Sequence, residues 1–248
     1  LSRMGAQATE GPEAVTIGFG LAGFRRVGMG SAFRSLDTTE VLASYRRARR
    51  RAIFLDWGGT LVSIESSFTA SLVEYYREPL PAPVSLCLEE LAQDPRNLLM
   101  VLSGQEMKQV DAILGSMQGA SLAAEHGFTF KMGNFPGVRR VSPSRWQPLV
   151  EDADLSWKEQ TLAILQAFTE RTNGSTIHDK GSALTWKYDD VDPEFGSMQA
   201  KELRDHLQGV LADYPVHIIM GKGYIEVRPR GVNKGVMVDH IVSELYST

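Results

Sequence analysis

RAIFLDWGGTL, residues 51–61, decides how this chain is read. Ala52–Leu55 predicts a short apolar strand that ends on an acid, Asp56, and a glycine turn. Open α/β sheets put their chemistry at the carboxyl ends of buried parallel strands, so Asp56 is the first candidate for a working side chain. Gly58 and Gly59 let the backbone curl around a small anion or a metal, and Thr60 can cap the next segment. Alone, the stretch also reads as an ordinary strand and turn with one surface Asp.

Two further apolar runs have the same form. NLLMVL, residues 97–102, predicts a buried strand and runs straight into Ser103-Gly104, with a helix expected over 106–114. A hydroxyl at a strand end with a helix N-terminus behind it suits a phosphate, because hydroxyl, backbone N–H groups and helix dipole converge there. A plain N-cap, Ser before Glu106, is the other reading. Leu122–Ala124 predicts a third strand, ending in Glu125-His126-Gly127.

The pattern changes near residue 150. Trp157–Arg171 reads as an amphipathic helix, and 175–178 and 183–188 as strands. Asp192-Pro193 opens a helix to about Ala212, with Pro at its first position. Strands over 216–220 and 224–228 flank Gly221-Lys222-Gly223. Helix-strand-strand, twice over, is an α+β unit inserted in an alternating α/β chain. A helix over Gly235–Tyr246 returns the chain to the first unit.

Upstream, residues 1–15 are rich in Gly, Ala, Glu and Pro and read as disordered. Val15–Arg34 has too many glycines for a helix and too many aromatics for a linker. Thr38–Arg50 predicts a helix capped by Thr38 or Thr39, with the basic run Arg46–Arg51 as its solvated end. Helical segments are also expected over Ser71–Tyr76 and Val84–Leu91.

The 248 residues carry a net charge of −4 with the basic residues dispersed, which argues against a nucleic-acid partner. A single cysteine, Cys87, rules out an internal disulfide and fits a reducing compartment, hence a cytoplasmic expectation. No apolar run nears the roughly 20 residues of a membrane helix. A start at Leu1 without a signal pattern reads as a fragment or a processed piece.

Asp56-Trp57-Gly58-Gly59-Thr60 resembles the first motif of the haloacid-dehalogenase-like phosphatases, Asp-x-Asp-Gly-Thr, with the second acid missing. LAAEHGF at 122–128, DPEFGSMQAKELRDHL at 192–207 and IEVRPRGVNKG at 225–235 resemble the trehalose-6-phosphate phosphatase family, in particular the phosphatase-like half of the plant-type proteins fused to a trehalose-phosphate synthase. The lead-in, GFGLAGFRRV through SYRRARRRAIFLD, is similar to the junction in those fusions.

The resemblance implies an α/β fold: a haloacid-dehalogenase-like Rossmannoid core, 51–149 and 230–248, an inserted αββαββ cap, 150–229, and a junction-like extension, 1–50. It implies Mg²⁺ and the substrate trehalose 6-phosphate. Asp56 matches the nucleophile, Ser103 the phosphate-binding hydroxyl and Lys234 the charge-neutralising lysine. Glu125 matches a sugar-binding acid and Lys180 a cap lysine, although His178 stands where the family usually has Glu. Glu226 matches a family acid, with a strand-face ion pair as its other reading.

The resemblance also defines what is missing. Gly58 cannot act as the acid/base that protonates the leaving sugar oxygen, a role typically worth about 10²–10⁴ in rate. It can offer a metal only its carbonyl. The family's fourth motif, Gly-Asp-Asp, is not found before Thr248, and Asp239 and Glu244 read as solvated helix acids. Mg²⁺ is then left with Asp56, the Gly58 carbonyl and water, a thin donor set. The core reads as truncated, with an open sheet edge. The expectation is a trehalose-6-phosphate phosphatase relative with weak or no turnover. The alternatives are a non-catalytic sugar-phosphate-binding or regulatory module attached to a trehalose-phosphate synthase, and a structural appendage of such a synthase.

Overall fold

The computed structural model describes residues 14–18, 24–28, 36–62, 80–133, 135 and 145–246, the first two segments as backbone. Of the stretch expected to be disordered, 1–15, residues 14 and 15 instead belong to a strand; 1–13 and the helix expected over 71–76 fall outside the described residues. The chain divides into two compact units, 1–48 and 49–248.

In the first unit, β1 (Ala14–Gly18) pairs antiparallel with β2 (Phe24–Gly28), so the glycine-rich stretch forms two strands. Helix α1 (Thr38–Arg47) is capped one residue earlier than expected. The Asp37 carboxylate accepts the N–H groups of Thr39 and Glu40 at 2.9 and 3.1 Å, which a threonine already inside the helix cannot do. The helix also stops at Arg47, because Ala48 is extended. The basic run is therefore not one solvated helix end.

Arg51 shows the difference best. It opens β3 (Arg51–Asp56) in the second unit and is buried. Its Nη1 donates to Asn97 Oδ1 at 2.9 Å and to Asp94 Oδ2 at 3.1 Å, clamping the start of β3 to the start of β4 (Asn97–Leu102). β4 is buried at all six positions, as a parallel strand covered on both faces should be. The sheet order is β3-β4-β5-β6-β7, with β5 (Ser121–Ala124), β6 (Thr129–Lys131) and β7 (Trp146–Pro148). β3, β4 and β5 run parallel, β6 turns back antiparallel to β5, and β7 reverses again, antiparallel to β6. Among the described residues β3 is an edge strand, and it is correspondingly only half-buried.

Helices α2 (Ala82–Gln93) and α3 (Met107–Leu114) cover one face of this sheet through Leu88, Ala92, Val110 and Leu114. Trp57 joins the same cluster, so the residue after Asp56 turns into the core. On the other face, Met237 and Ile241 of α6 (Lys234–Tyr246) pack against Leu98, Met100 and Phe130.

The inserted segment has the expected order. It comprises α4 (Trp157–Glu170), β8 (Thr176–Lys180), β9 (Ala183–Lys187), α5 (Pro193–Val210), β10 (Val216–Gly221) and β11 (Tyr224–Pro229). Its antiparallel sheet runs β10-β11-β9-β8. One face, with Leu184, Trp186, Ile225 and Val227, packs on Trp157, Leu165, Leu203 and Leu207 of the two helices. Strand side chains alternate, so the in-register row His178, Thr185 and Glu226 lies on the opposite face.

Candidate functional site

Three candidate side chains sit at the carboxyl ends of neighbouring parallel strands. Asp56 ends β3, Ser103 follows β4 and Glu125 follows β5. Pairing places Asp56 beside Leu102, directly before Ser103. Lys234, the first residue of α6, reaches the same end. Its Nζ lies 2.5 Å from Asp56 Oδ1, with the two side chains 33% and 45% exposed. Asn233 starts this helix, its Oδ1 accepting the Val236 N–H at 2.9 Å. Gly58, two residues past Asp56, brings no side chain to the site.

Ser103 is buried, and its place excludes the helix-cap reading. Helix α3 begins at Met107 with Glu106 as N-cap. Ser103 Oγ instead accepts the Gln105 N–H at 3.0 Å, a serine turn that holds the backbone of 103–105 in a curl. Its own N–H donates to the Ala123 carbonyl and its carbonyl accepts the His126 N–H, both at 2.8 Å. The ends of β4 and β5 are thus tied together at Ser103. Ser103 and Asp56 occupy adjacent strand ends, but the hydroxyl is engaged by this local turn.

Glu125 and His126 have φ of +51° and +59°, the positive-φ non-glycine residues among those described. Each left-handed residue costs on the order of 1–3 kcal/mol and persists only where its surroundings over-determine it. Here the Glu125 N–H donates to the Gln105 carbonyl at 2.8 Å. The Glu125 carboxylate accepts the Ser182 N–H at 2.8 Å and also the Ser182 hydroxyl. Gly127 continues the left-handed path at φ +100°, and a Cβ there would meet Met237 Cβ at 2.7 Å.

Lys180 and Glu226 meet on the polar face of the four-stranded sheet. Lys180 Nζ donates to Glu226 Oε2 at 2.6 Å and lies 3.4 Å from the Gly104 carbonyl. Glu226, almost fully buried, also accepts from Thr185 Oγ1 at 3.2 Å, and its Oε1 lies 3.3 Å from His126 Nε2 and 3.5 Å from Arg228 Nη1. Burial alone would push its carboxyl up. The His126 hydrogen bond and the Lys180 charge outweigh that and hold it well below the ordinary carboxylate range. Burial and the neighbouring Glu125 charge push the Glu106 carboxyl up. Burial, Lys187 and Lys180 push the His178 imidazole down, favouring its neutral form.

The structure thus brings Asp56 to Lys234, and Lys180 to Glu226. It joins Glu125 to Ser182, which sequence reasoning did not single out. His126 and Arg228 were also missed, although both stand inside the motifs at 122–128 and 225–235. Their signal was position: one follows a strand-ending acid and the other lies two residues, hence one sheet face, from Glu226.

Among the described residues there is no group of three or more His, Cys, Asp or Glu able to hold a metal ion. At Asp56 they offer one carboxylate, with Oδ1 engaged by an ammonium, and the Gly58 carbonyl. This donor set does not by itself make a Mg²⁺ site.

The sequence profile of the family described as trehalose-phosphatase matches residues 54–248. A probable alpha,alpha-trehalose-phosphate synthase (UDP-forming) of Arabidopsis thaliana is 37% identical over 229 residues, covering 92% of this chain and 25% of that protein. A trehalose-phosphatase of Zygosaccharomyces rouxii is 37% identical over 209 residues, covering 84% of this chain and 22% of that protein. The chain therefore spans about a quarter of the length of these curated relatives. Among solved structures, the C-terminal domain of a C. albicans trehalose-6-phosphate phosphatase superposes with a TM-score of 0.69 at 31% identity, covering 84% of this chain and 67% of that one. The parallel sheet with its inserted αββαββ segment is a haloacid-dehalogenase-like α/β fold. The chain belongs to the trehalose-phosphatase family.

Proposed function

We propose that this chain recognises trehalose 6-phosphate at the carboxyl ends of β3, β4 and β5 and hydrolyses it weakly or not at all. The observation that carries the reading is the Asp56–Lys234 pair at 2.5 Å, with glycine rather than an acid two residues beyond Asp56. Lys234 supplies positive charge for a phosphoryl group, and the curled 103–105 backbone follows β4, the strand that neighbours Asp56. The polar sheet face bearing Lys180 and Glu226, with Glu125 opposite, suits the hydroxyls of a disaccharide.

In a full reaction an Asp56 oxygen would bond to phosphorus as the bond to the sugar oxygen breaks. That oxygen must take a proton, and water must then release phosphate from the aspartyl phosphate. Asp56 and Lys234 fit the first displacement. Gly58 can neither give the proton nor activate the water. Bound Mg²⁺, the family's cofactor, would neutralise charge on the phosphoryl oxygens. With one carboxylate offered by the described residues, no step is assigned to it.

In this reading 51–149 and 230–248 form the core, 150–229 the cap, and 1–50 an extension. The name of the Arabidopsis relative suggests a trehalose-phosphate synthase domain or complex as partner. The exposed free Cys87 fits a reducing compartment such as the cytoplasm. No described helix is long and apolar enough to cross a membrane. Calorimetric titration with trehalose 6-phosphate tests the reading. Binding should be saturable and weakened in Lys234→Ala. Absence of binding at millimolar ligand would overturn it.

A further inference from the structure

We propose that His126 is a positioning residue that holds Glu226 and, through it, the ammonium of Lys180 against the Ser103-Gly104 turn. The proposal rests on the sugar-phosphate reading for what the site binds. The contacts themselves do not depend on it.

The four residues involved form a closed circuit. The His126 ring lies on the backbone of Gly104, where a Cβ would meet its Cε1 at 2.7 Å and its Nε2 at 2.9 Å. His126 Nε2 lies 3.3 Å from Glu226 Oε1. Glu226 Oε2 takes Lys180 Nζ at 2.6 Å, and the same Nζ returns to the Gly104 carbonyl at 3.4 Å. Each member fixes the next, and the loop closes on the residue after the candidate phosphate-binding serine.

The order of dependence follows from chemistry. An ionised carboxylate only accepts hydrogen bonds, so Nε2 must carry the proton that faces Glu226. With Oε1 taken by His126, and Arg228 Nη1 nearby at 3.5 Å, Oε2 is left to Lys180 and Thr185. Removing His126 leaves Oε1 only the longer Arg228 contact, lets the carboxylate rotate and releases the lysine. The left-handed backbone at Glu125 and His126 agrees with this role. It aims the Glu125 carboxylate at Ser182 while the next side chain crosses to Gly104 and Glu226.

The test compares His126→Asn with His126→Gln in the full chain. Asparagine tolerates a left-handed backbone. Its amide is one bond too short to stand in for Nε2, whereas the glutamine amide reaches that position. The first readout needs no sugar: the rate at which a small amine-acylating reagent modifies Lys180, read by mass spectrometry against exposed Lys201. The Asn variant should react roughly fivefold faster or more, as expected for loss of a hydrogen bond to a charged group, and the Gln variant like wild type. An unchanged rate in a folded Asn variant overturns the proposal. If the Asn variant does not fold, the imidazole ¹⁵N resonance of His126 decides. It should move in Lys180→Met if both residues hang on Glu226, and stay fixed if they are independent. The second readout is titration with trehalose 6-phosphate, where Asn should raise Kd about tenfold and Gln restore it. Wild type that fails to bind the sugar phosphate contradicts the functional reading alone. Lysine reactivity still decides the positioning role.

Discussion

Lys234 Nζ and Asp56 Oδ1 meet at 2.5 Å although they stand 178 positions apart in the chain. The inserted αββαββ segment leaves and returns so that the first residue of α6 faces the end of β3. The contact places one anion and one cation where a phosphoryl group would need an attacking oxygen and a neutralising charge.

Because both side chains are a third or more exposed, the pair should matter little for stability. Lys234→Ala is expected to change unfolding free energy by less than about 1 kcal/mol after solvent screening. Its affinity for trehalose 6-phosphate should fall by roughly an order of magnitude, in keeping with a charge-assisted contact. Urea denaturation and calorimetric titration on the same variant separate the two effects. A large stability loss with unchanged affinity would assign Lys234 a structural role instead.

Arg51 is the converse case. Its buried guanidinium holds Asn97 and Asp94, so Arg51→Met should destabilise by about 1–3 kcal/mol by removing the buried bond to Asn97, while Asp94 keeps its Arg96 partner. A urea midpoint equal to wild type would show that the clamp contributes nothing.

Two glycines should respond in opposite directions to alanine. Gly127, at φ +100° and facing Met237, should lose about 2 kcal/mol or more in Gly127→Ala. Gly209, in α5 with open space where a Cβ would go, should gain about 0.5–1 kcal/mol in Gly209→Ala. Thermal melts of both variants provide the comparison, and a shift of the same sign in both would contradict the local backbone account.

Glu226 gives a pH prediction. Its carboxyl is held below the ordinary value of 4.5, so the folded state favours the ionised form. The stability this contributes is present above that value and is lost as pH falls from it toward the lower folded value. Glu226→Gln should therefore be less stable than wild type near neutrality and show a shallower loss on acidification below the ordinary carboxylate range. Melting temperature against pH measures it, and parallel curves for the two proteins would contradict the assignment.

The strands were legible because their signals are local. NLLMVL is apolar at every position but its first, and β4 is buried at every position. The repeated helix-strand-strand order was legible from Pro193 at a helix start and from the glycine turn at 221–223. The end of the basic run was not. Arg46–Arg51 looks uniform as text, but Arg47 ends a helix and Arg51 is buried against residues more than forty positions away. The site divided the same way. Strand-ending Asp56, Ser103 and Glu125 follow from pattern, while the His126–Glu226 and Glu125–Ser182 contacts depend on how the inserted segment meets the strand ends, which no local pattern encodes.

Phosphate release from trehalose 6-phosphate by the purified chain, with Mg²⁺ and with chelator, tests the central claim most directly. The account predicts little or no release above the Asp56→Asn control. It predicts the same for Gly58→Asp, which adds an acid but leaves the donor set that the described residues offer a cation short. Substantial Mg²⁺-dependent release that disappears in Asp56→Asn would contradict it, and would mean that another group supplies the proton Gly58 cannot give.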